Sequence, residues 1–181
     1  MAEDSTREAR FNQLYDDNFD AVHRYVWRRA PLNADDVAAE TFLVAWRRLD
    51  DMPATALPWL ISVARGTLLN ERRRSRRQVA VSDRLAAEPV FQPEGEGDTV
   101  ASDLIEAALA VLSDRDREVL LLSVWEDLDR AAIADALGCS KTNVSVRLHR
   151  ARRRFADELE RQPPATSSSL RPATFTGGFD A

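Results

Sequence analysis

Asp129-Arg-Ala-Ala-Ile-Ala-Asp-Ala-Leu-Gly138 is a short segment with one apolar face, bracketed by two residues of opposite helical preference. The Asp129 carboxylate can accept from the free amides of a first helical turn, and Gly138 takes a positive φ at little cost, so the first starts a helix and the second stops it. Cys139 completes the turn and Ser140 caps a second helix. Two helices joined by a turn of about three or four residues containing Gly make a helix-turn-helix. In the second helix Val144, Leu148, Ala151 and Phe155 recur at helical spacing and face the protein. The opposite face carries Thr142, Ser145, Val146, His149, Arg150 and Arg153. Lys141 to Phe155 contains six basic residues and no acidic one, in a chain of net charge -5. A solvated helix face normally mixes signs for i, i+4 support, so this pattern points to a helix inserted into duplex DNA.

The basic charge is local. Residues 61 to 80 carry +5 and residues 141 to 155 carry +6, and the remainder is acidic. Each block can neutralise phosphates while the rest of the chain discourages indiscriminate binding. With 181 residues, the charge pattern favours two small domains over one. The single cysteine excludes an intramolecular disulfide, and His23 and His149 lack partners at metal-ligand spacing. No metal, no cofactor and no catalytic constellation is expected, so an enzyme is the least favoured class. No apolar run approaches the roughly 20 residues of a membrane span, and the charged N-terminus leads into no signal-type core. The expected location is a reducing cytoplasm.

The periodicity is helical throughout. Residues 8 to 30 form a first helix on Phe11, Leu14, Tyr15, Phe19, Val22, Tyr25 and Val26, ended by Pro31. Asn33 or Asp35 starts a second, Asp36 to Leu49. Asp50 to Pro58 is a connector with prolines, and a third helix runs from Pro58 through Trp59, Leu60, Val63, Ala64, Leu68 and Leu69 into Arg72-Arg-Arg-Ser-Arg-Arg77. Cations at a helix C-terminus also complement its dipole, but Trp59 and Arg65 on the same helix add a stacking surface beside a phosphate-binding stripe. Gly66 inside this helix predicts a locally loose turn, at about 1 kcal/mol relative to Ala. Residues 79 to 100, rich in Pro, Gly and acids, read as a flexible linker. Helices resume near Ala101, with Ser113 and Asp116 in a capping-box pattern before Val119, Leu120, Leu122 and Val124. Residues 161 to 181 are too polar and broken to build a core and read as a disordered tail.

Three segments together resemble the extracytoplasmic-function (ECF) sigma factors of bacterial RNA polymerase, a branch of the sigma-70 superfamily. Asp35-Asp-Val-Ala-Ala-Glu-Thr-Phe-Leu-Val-Ala-Trp46 is similar to the family's core-polymerase-binding segment. Pro58-Trp-Leu-Ile-Ser-Val-Ala-Arg-Gly-Thr-Leu-Leu-Asn-Glu-Arg-Arg-Arg74 is similar to its promoter-melting helix. Leu112 to Leu122, followed by Asp129 to Arg154, is similar to its -35 recognition domain. The resemblance implies an all-α chain with a region 2-like domain at 8–78, a linker at 79–100, a region 4-like helix-turn-helix domain at 101–160 and the tail. It implies that Asp36, Glu40, Thr41, Phe42 and Trp46 meet core polymerase. Trp59, Arg65, Arg73 and Arg74 then serve the opened -10 region, and the Asp51 to Leu57 loop captures a flipped base. Lys141, Ser145, Val146, Arg147, His149, Arg150 and Arg153 approach the -35 duplex, with Ser145, Val146, His149 and Arg150 nearest the base edges. The implied partners are core RNA polymerase and promoter DNA, both duplex and single-stranded, with room for an anti-sigma factor and none for a membrane. The alternative is a stand-alone helix-turn-helix regulator with an N-terminal dimerisation or sensing domain. An adaptor working through protein contacts alone is a third reading.

Overall fold

Among the described residues the helical periodicity translates into seven α-helices. A computed structural model describes residues 2–79 and 99–161: α1 (Ala2–Trp27), α2 (Ala34–Arg47), α3 (Ala56–Val79), α4 (Thr99–Ala110), α5 (Asp114–Val124), α6 (Arg130–Leu137) and α7 (Lys141–Arg161), with no strand among the described residues. The expected linker and tail lie outside the described residues, apart from Val79, Thr99 and Val100 at helix ends and Arg161 at the end of α7.

Boundaries follow local chemistry. α1 stops at Trp27 rather than Ala30, because Pro31 opens a separate 3-10 turn, Pro31–Asn33, with no amide to continue the ladder. α2 starts at Ala34, with Asn33 as its N-cap residue. α3 begins at Ala56, so Pro58 falls within the first turn, where its missing amide has no helical partner to lose. Three side chains cap as their positions predict: Ser113 accepts from the Asp116 amide at 3.3 Å, Asp129 from the Ala132 amide at 2.7 Å and Ser140 from the Asn143 amide at 3.2 Å.

α1, α2 and α3 pack mutually around Val22, Val26, Val37, Phe42, Leu60, Ile61 and Ala64, all buried. α4, α5 and α6 pack on α7 around Leu109, Val119, Leu122, Ile133, Val144, Leu148 and Ala151. Burying a Val, Leu, Ile or Phe side chain contributes roughly 1.5–3 kcal/mol, so each group is held by its apolar faces. The groups also meet, because α3 packs against α6 and their buried residues form one continuous cluster.

Candidate nucleic-acid interface

The turn between α6 and α7 sets the geometry of the helix-turn-helix. Gly138 sits at φ 62°, ψ 43°, and its amide donates to the Asp135 carbonyl while the Cys139 amide donates to that of Ala134 at 3.0 Å. This is a Schellman closure, which satisfies the last carbonyls of α6 and redirects the chain within two residues. Ser140 then caps α7. Val144, Leu148 and Ala151 are buried beneath α7 and Phe155 is half-buried, so the apolar stripe fixes the rotation of the helix about its axis.

That rotation leaves Thr142, Val146, His149 and Arg153 on the outer face, all exposed, with Val146 at 58 %. Lys141 is exposed at the N-terminus of the helix and Arg147 is half-buried. Ser145 is half-buried and its hydroxyl donates back to the Lys141 carbonyl at 3.0 Å. Arg150 is exposed but committed: its Nε and Nη2 donate to the two oxygens of Asp116 on α5 at 2.9 and 2.7 Å. Asp116 is almost fully buried, and Arg154 lies 3.9 Å from the same carboxylate. The hydrogen bond from Arg150, with smaller help from Ser113 and Arg154, outweighs burial and holds the Asp116 carboxyl below the usual range. The capping-box pattern therefore has only its Ser113 half. Asp116 turns its carboxylate to α7 instead, a partnership 34 positions apart that local spacing does not reveal.

On α3, Trp59 packs half-buried against the core and Arg65 is half-buried, whereas Arg73 and Arg74 are exposed. Arg74 pairs with Glu71 one turn earlier at 3.0 Å. Gly66 lies inside an unbroken helix, and a Cβ built there would meet no atom within 4 Å.

The α2 residues divide by burial. Asp36 and Glu40 are exposed, but Thr41 is fully buried, its hydroxyl donating to the Val37 carbonyl at 2.7 Å, and Phe42 is only 3 % exposed. Trp46 is half-buried, edge-on to Phe11 at 5.1 Å between ring centres, with the Arg7 guanidinium over its ring. Leu43, 48 % exposed, stands between these two groups on the Asp36 and Glu40 face. It was missed in the sequence because a lone leucine reads as core. Its i+7 and i+3 spacing from Asp36 and Glu40 was the available signal.

Between the end of α1 and α5 with the loop after it, the two helical groups also share a charged seam. The Tyr25 hydroxyl donates to Glu118 at 2.9 Å, Arg28 donates to Glu126 at 2.9 Å, and Arg29 reaches Glu118 at 3.3 Å and Glu126 at 3.5 Å. Burial raises the Glu126 carboxyl above the usual range against the pull of Arg29 and Arg28, and burial likewise raises the Tyr25 hydroxyl. Among the described residues no group of three or more His, Cys, Asp or Glu is placed to hold a metal, and no helix is long and apolar enough to cross a membrane.

Comparison with known proteins agrees with this architecture. The sigma-70 region 2 family matches residues 14–78 and the sigma-70 region 4 family matches residues 102–155. The chain is 34 % identical over 143 residues to the ECF RNA polymerase sigma factor SigL of Mycobacterium tuberculosis, covering 75 % of this chain and 81 % of that one. It is 30 % identical over 148 residues to the RNA polymerase sigma factor YlaC of Bacillus subtilis, covering 77 % and 86 %. In fold it is similar to the sigma factor RpoE of Bartonella quintana, solved in complex with the anti-sigma factor NepR, at a TM-score of 0.68 and 23 % identity over 84 % of this chain and 98 % of that one. The chain belongs to the sigma-70 family, among the ECF RNA polymerase sigma factors.

Proposed function

We propose that this chain acts as an alternative sigma factor: it joins core RNA polymerase, directs it to the -35 and -10 elements of a promoter, and promotes opening of the -10 region without covalent chemistry. The observation that carries the reading is the pair of basic helices, α3 and α7, each anchored by an apolar face and each belonging to a different sigma region. Residues 8–78 form the polymerase-binding and -10 unit and residues 101–160 the -35 unit. The assembly works in the cytoplasm and needs no cofactor.

The roles follow exposure. Thr142, Val146 and His149 face the major groove, with Lys141, Arg147 and Arg153 toward the backbone. Ser145 flanks them. Arg150, clamped by Asp116, holds α7 on α5 and offers only its outer edge to DNA. Arg65, Arg73 and Arg74 hold phosphates of the opened strand or upstream duplex beside Trp59, and the Asp51 to Leu57 loop receives a flipped base. Polymerase contact falls to Asp36, Glu40 and Leu43, with Trp46 at the margin, while Thr41 and Phe42 support that face from within. An anti-sigma factor is a further partner; RpoE, similar in fold, was solved in complex with the anti-sigma factor NepR.

Run-off transcription with purified core polymerase across a genomic promoter library tests the proposal. Promoter-dependent initiation requiring this chain is expected. Tight operator binding by the chain alone, with no initiation, would instead identify a stand-alone regulator.

A further inference from the structure

The Asp51 to Leu57 loop is entered through a turn that the start of α1 holds. α2 ends at Arg47, and the chain passes through a 3-10 turn, Leu49–Asp51, before reaching Met52 and Pro53. Leu49 is buried and Met52 packs half-buried against the core, while Pro53, Ala54 and Thr55 are exposed. Pro58, buried in the first turn of α3, fixes the far end. Asp50, in the middle of the entry turn, accepts from Arg7 Nη1 at 2.6 Å, and Arg10 lies 3.7 Å from its other oxygen. The second nitrogen of Arg7, Nη2, donates to the Trp46 carbonyl at 2.8 Å. That carbonyl is among the last four of α2, which a helix leaves without an intrahelical amide. The Arg7 guanidinium also lies 5.1 Å from the centre of the Trp46 ring, which is edge-on to Phe11. One planar group therefore joins the end of α2 to the turn after it.

We propose that Arg7 is a positioning residue for the Asp51 to Leu57 loop: it sets the angle at which the loop leaves α2, and so how tightly a base of the opened strand is held, without itself touching DNA. This rests on the sigma-factor reading, in which that loop receives a flipped base. Residues 14–78 match the sigma-70 region 2 family, so the loop lies inside the match, whereas Arg7, Arg10 and Phe11 lie before it. The likeness to the family says nothing of Arg7, whose role is read from its contacts.

Those contacts are too exposed to act mainly through stability. The Arg7 and Asp50 side chains are 34 % and 68 % exposed, so water screens their attraction, and such pairs contribute little to folding. Direction is what they add. Leu49, Met52 and Pro58 hold the ends of the loop by apolar contact, which has no preferred orientation. Two hydrogen bonds from one rigid fork do have one. A loop already held in its bound shape loses less entropy when a base enters it.

The experiment uses the full-length chain assembled with core polymerase, on a promoter recovered by its run-off activity. The probe is the single strand of the -10 element that the native complex binds, intact or with one abasic site moved along it. The native complex should lose most affinity where the captured base is missing. In Arg7→Ala, affinity for the intact strand should fall roughly 5- to 30-fold, the cost of ordering about one more residue on binding. Affinity for the strand lacking the captured base should not change, so the penalty of the abasic site shrinks by the same factor. Asp50→Ala should reproduce most of this loss, and the double variant should lose no more than Arg7→Ala alone, because both changes break one contact. Arg7→Lys should recover only part, since an ammonium lacks the planar fork that reaches two acceptors. Arg7→Gln gives the same reading if Arg7→Ala loses helix by circular dichroism. Equal losses on intact and abasic strands overturn the proposal, and a salt slope reduced by about 1 alongside them would place Arg7 on a phosphate instead. Unchanged affinity in the folded variants overturns it as well. Failure of the sigma reading would appear earlier and separately, as absent initiation by the native complex.

Discussion

Arg150 on α7 grips Asp116 on α5 through two hydrogen bonds, at 2.9 and 2.7 Å, and thereby ties the recognition helix to the helix behind it. The carboxylate is buried and the guanidinium is about half exposed. Water therefore screens the cation side of the pair, and the bond's value lies in fixing α7 more than in net stability. Asp116→Ala should destabilise the region 4 half by about 1.5–3 kcal/mol, the usual range for hydrogen bonds to charged groups, and toward the low end because of that screening. Chemical denaturation followed by circular dichroism measures it.

The same pair sets a pH dependence. The folded Asp116 carboxyl lies below its unfolded value of 3.8, chiefly through Arg150, so the unfolded chain binds more protons there. Its stabilising contribution is complete above that value and is lost as pH falls through the depressed folded one. Native stability should fall more steeply across this acid window than that of Asp116→Asn, whose amide does not titrate. Parallel acid-unfolding curves would defeat this assignment.

Gly66→Ala should stabilise the protein. The residue is helical, and an added Cβ meets nothing within 4 Å, so the substitution removes glycine's backbone entropy cost without a clash. The gain should be about 1 kcal/mol, read as a higher denaturation midpoint at unchanged slope. The loose turn expected at Gly66 is not visible as a break in α3. Glycine's cost is entropic, and flanking turns held by Ala64 and Leu68 can carry it.

Legibility in the sequence follows the range of the interaction. The caps at Ser113, Asp129 and Ser140 and the stop at Gly138 depend on neighbours within three or four positions, and all were readable. The stripe Val144, Leu148 and Ala151 was equally plain, because helical periodicity alone defines it. Periodicity does not say which side of α2 is covered, so Thr41 and Phe42 looked available although α1 and α3 enclose them. Nor does it supply the partner of Arg150, 34 residues away, or those of Arg28 and Arg29, 98 and 89 residues away. Those contacts exist only after the helices have packed.

Gly138→Ala should act in the opposite direction from Gly66→Ala although both add one methyl group. Space is open at both positions, but Gly138 sits at φ 62°, where a Cβ approaches the following carbonyl. A loss of about 1–2 kcal/mol follows. Because the Schellman turn aims α7, -35 duplex binding by the polymerase complex should weaken beyond what the stability loss explains. Anisotropy titrations well below the unfolding temperature separate the two effects.

Val146 and Arg153 provide the test of the recognition face, because the two residues are exposed on the same side of α7 and differ in what they can read. An aliphatic side chain gains from a thymine methyl group and nothing from a phosphate, so Val146 should act on sequence preference. Arg153, two turns further on, is 3.9 Å from Asp157 and otherwise open, which suits a backbone contact. Val146→Ser should therefore change the preferred base at one -35 position, with about 1–3 kcal/mol of discrimination lost there, while the dependence of affinity on salt stays as in the native protein. Arg153→Gln should weaken binding to all -35 sequences alike and reduce the slope of log affinity against log salt by about 1. Selection from a randomised -35 library and salt titrations of the polymerase complex measure the two quantities separately. If Arg153→Gln changed sequence preference while leaving the salt slope intact, the assignment would reverse, with Arg153 reading bases and Val146 packing against the backbone.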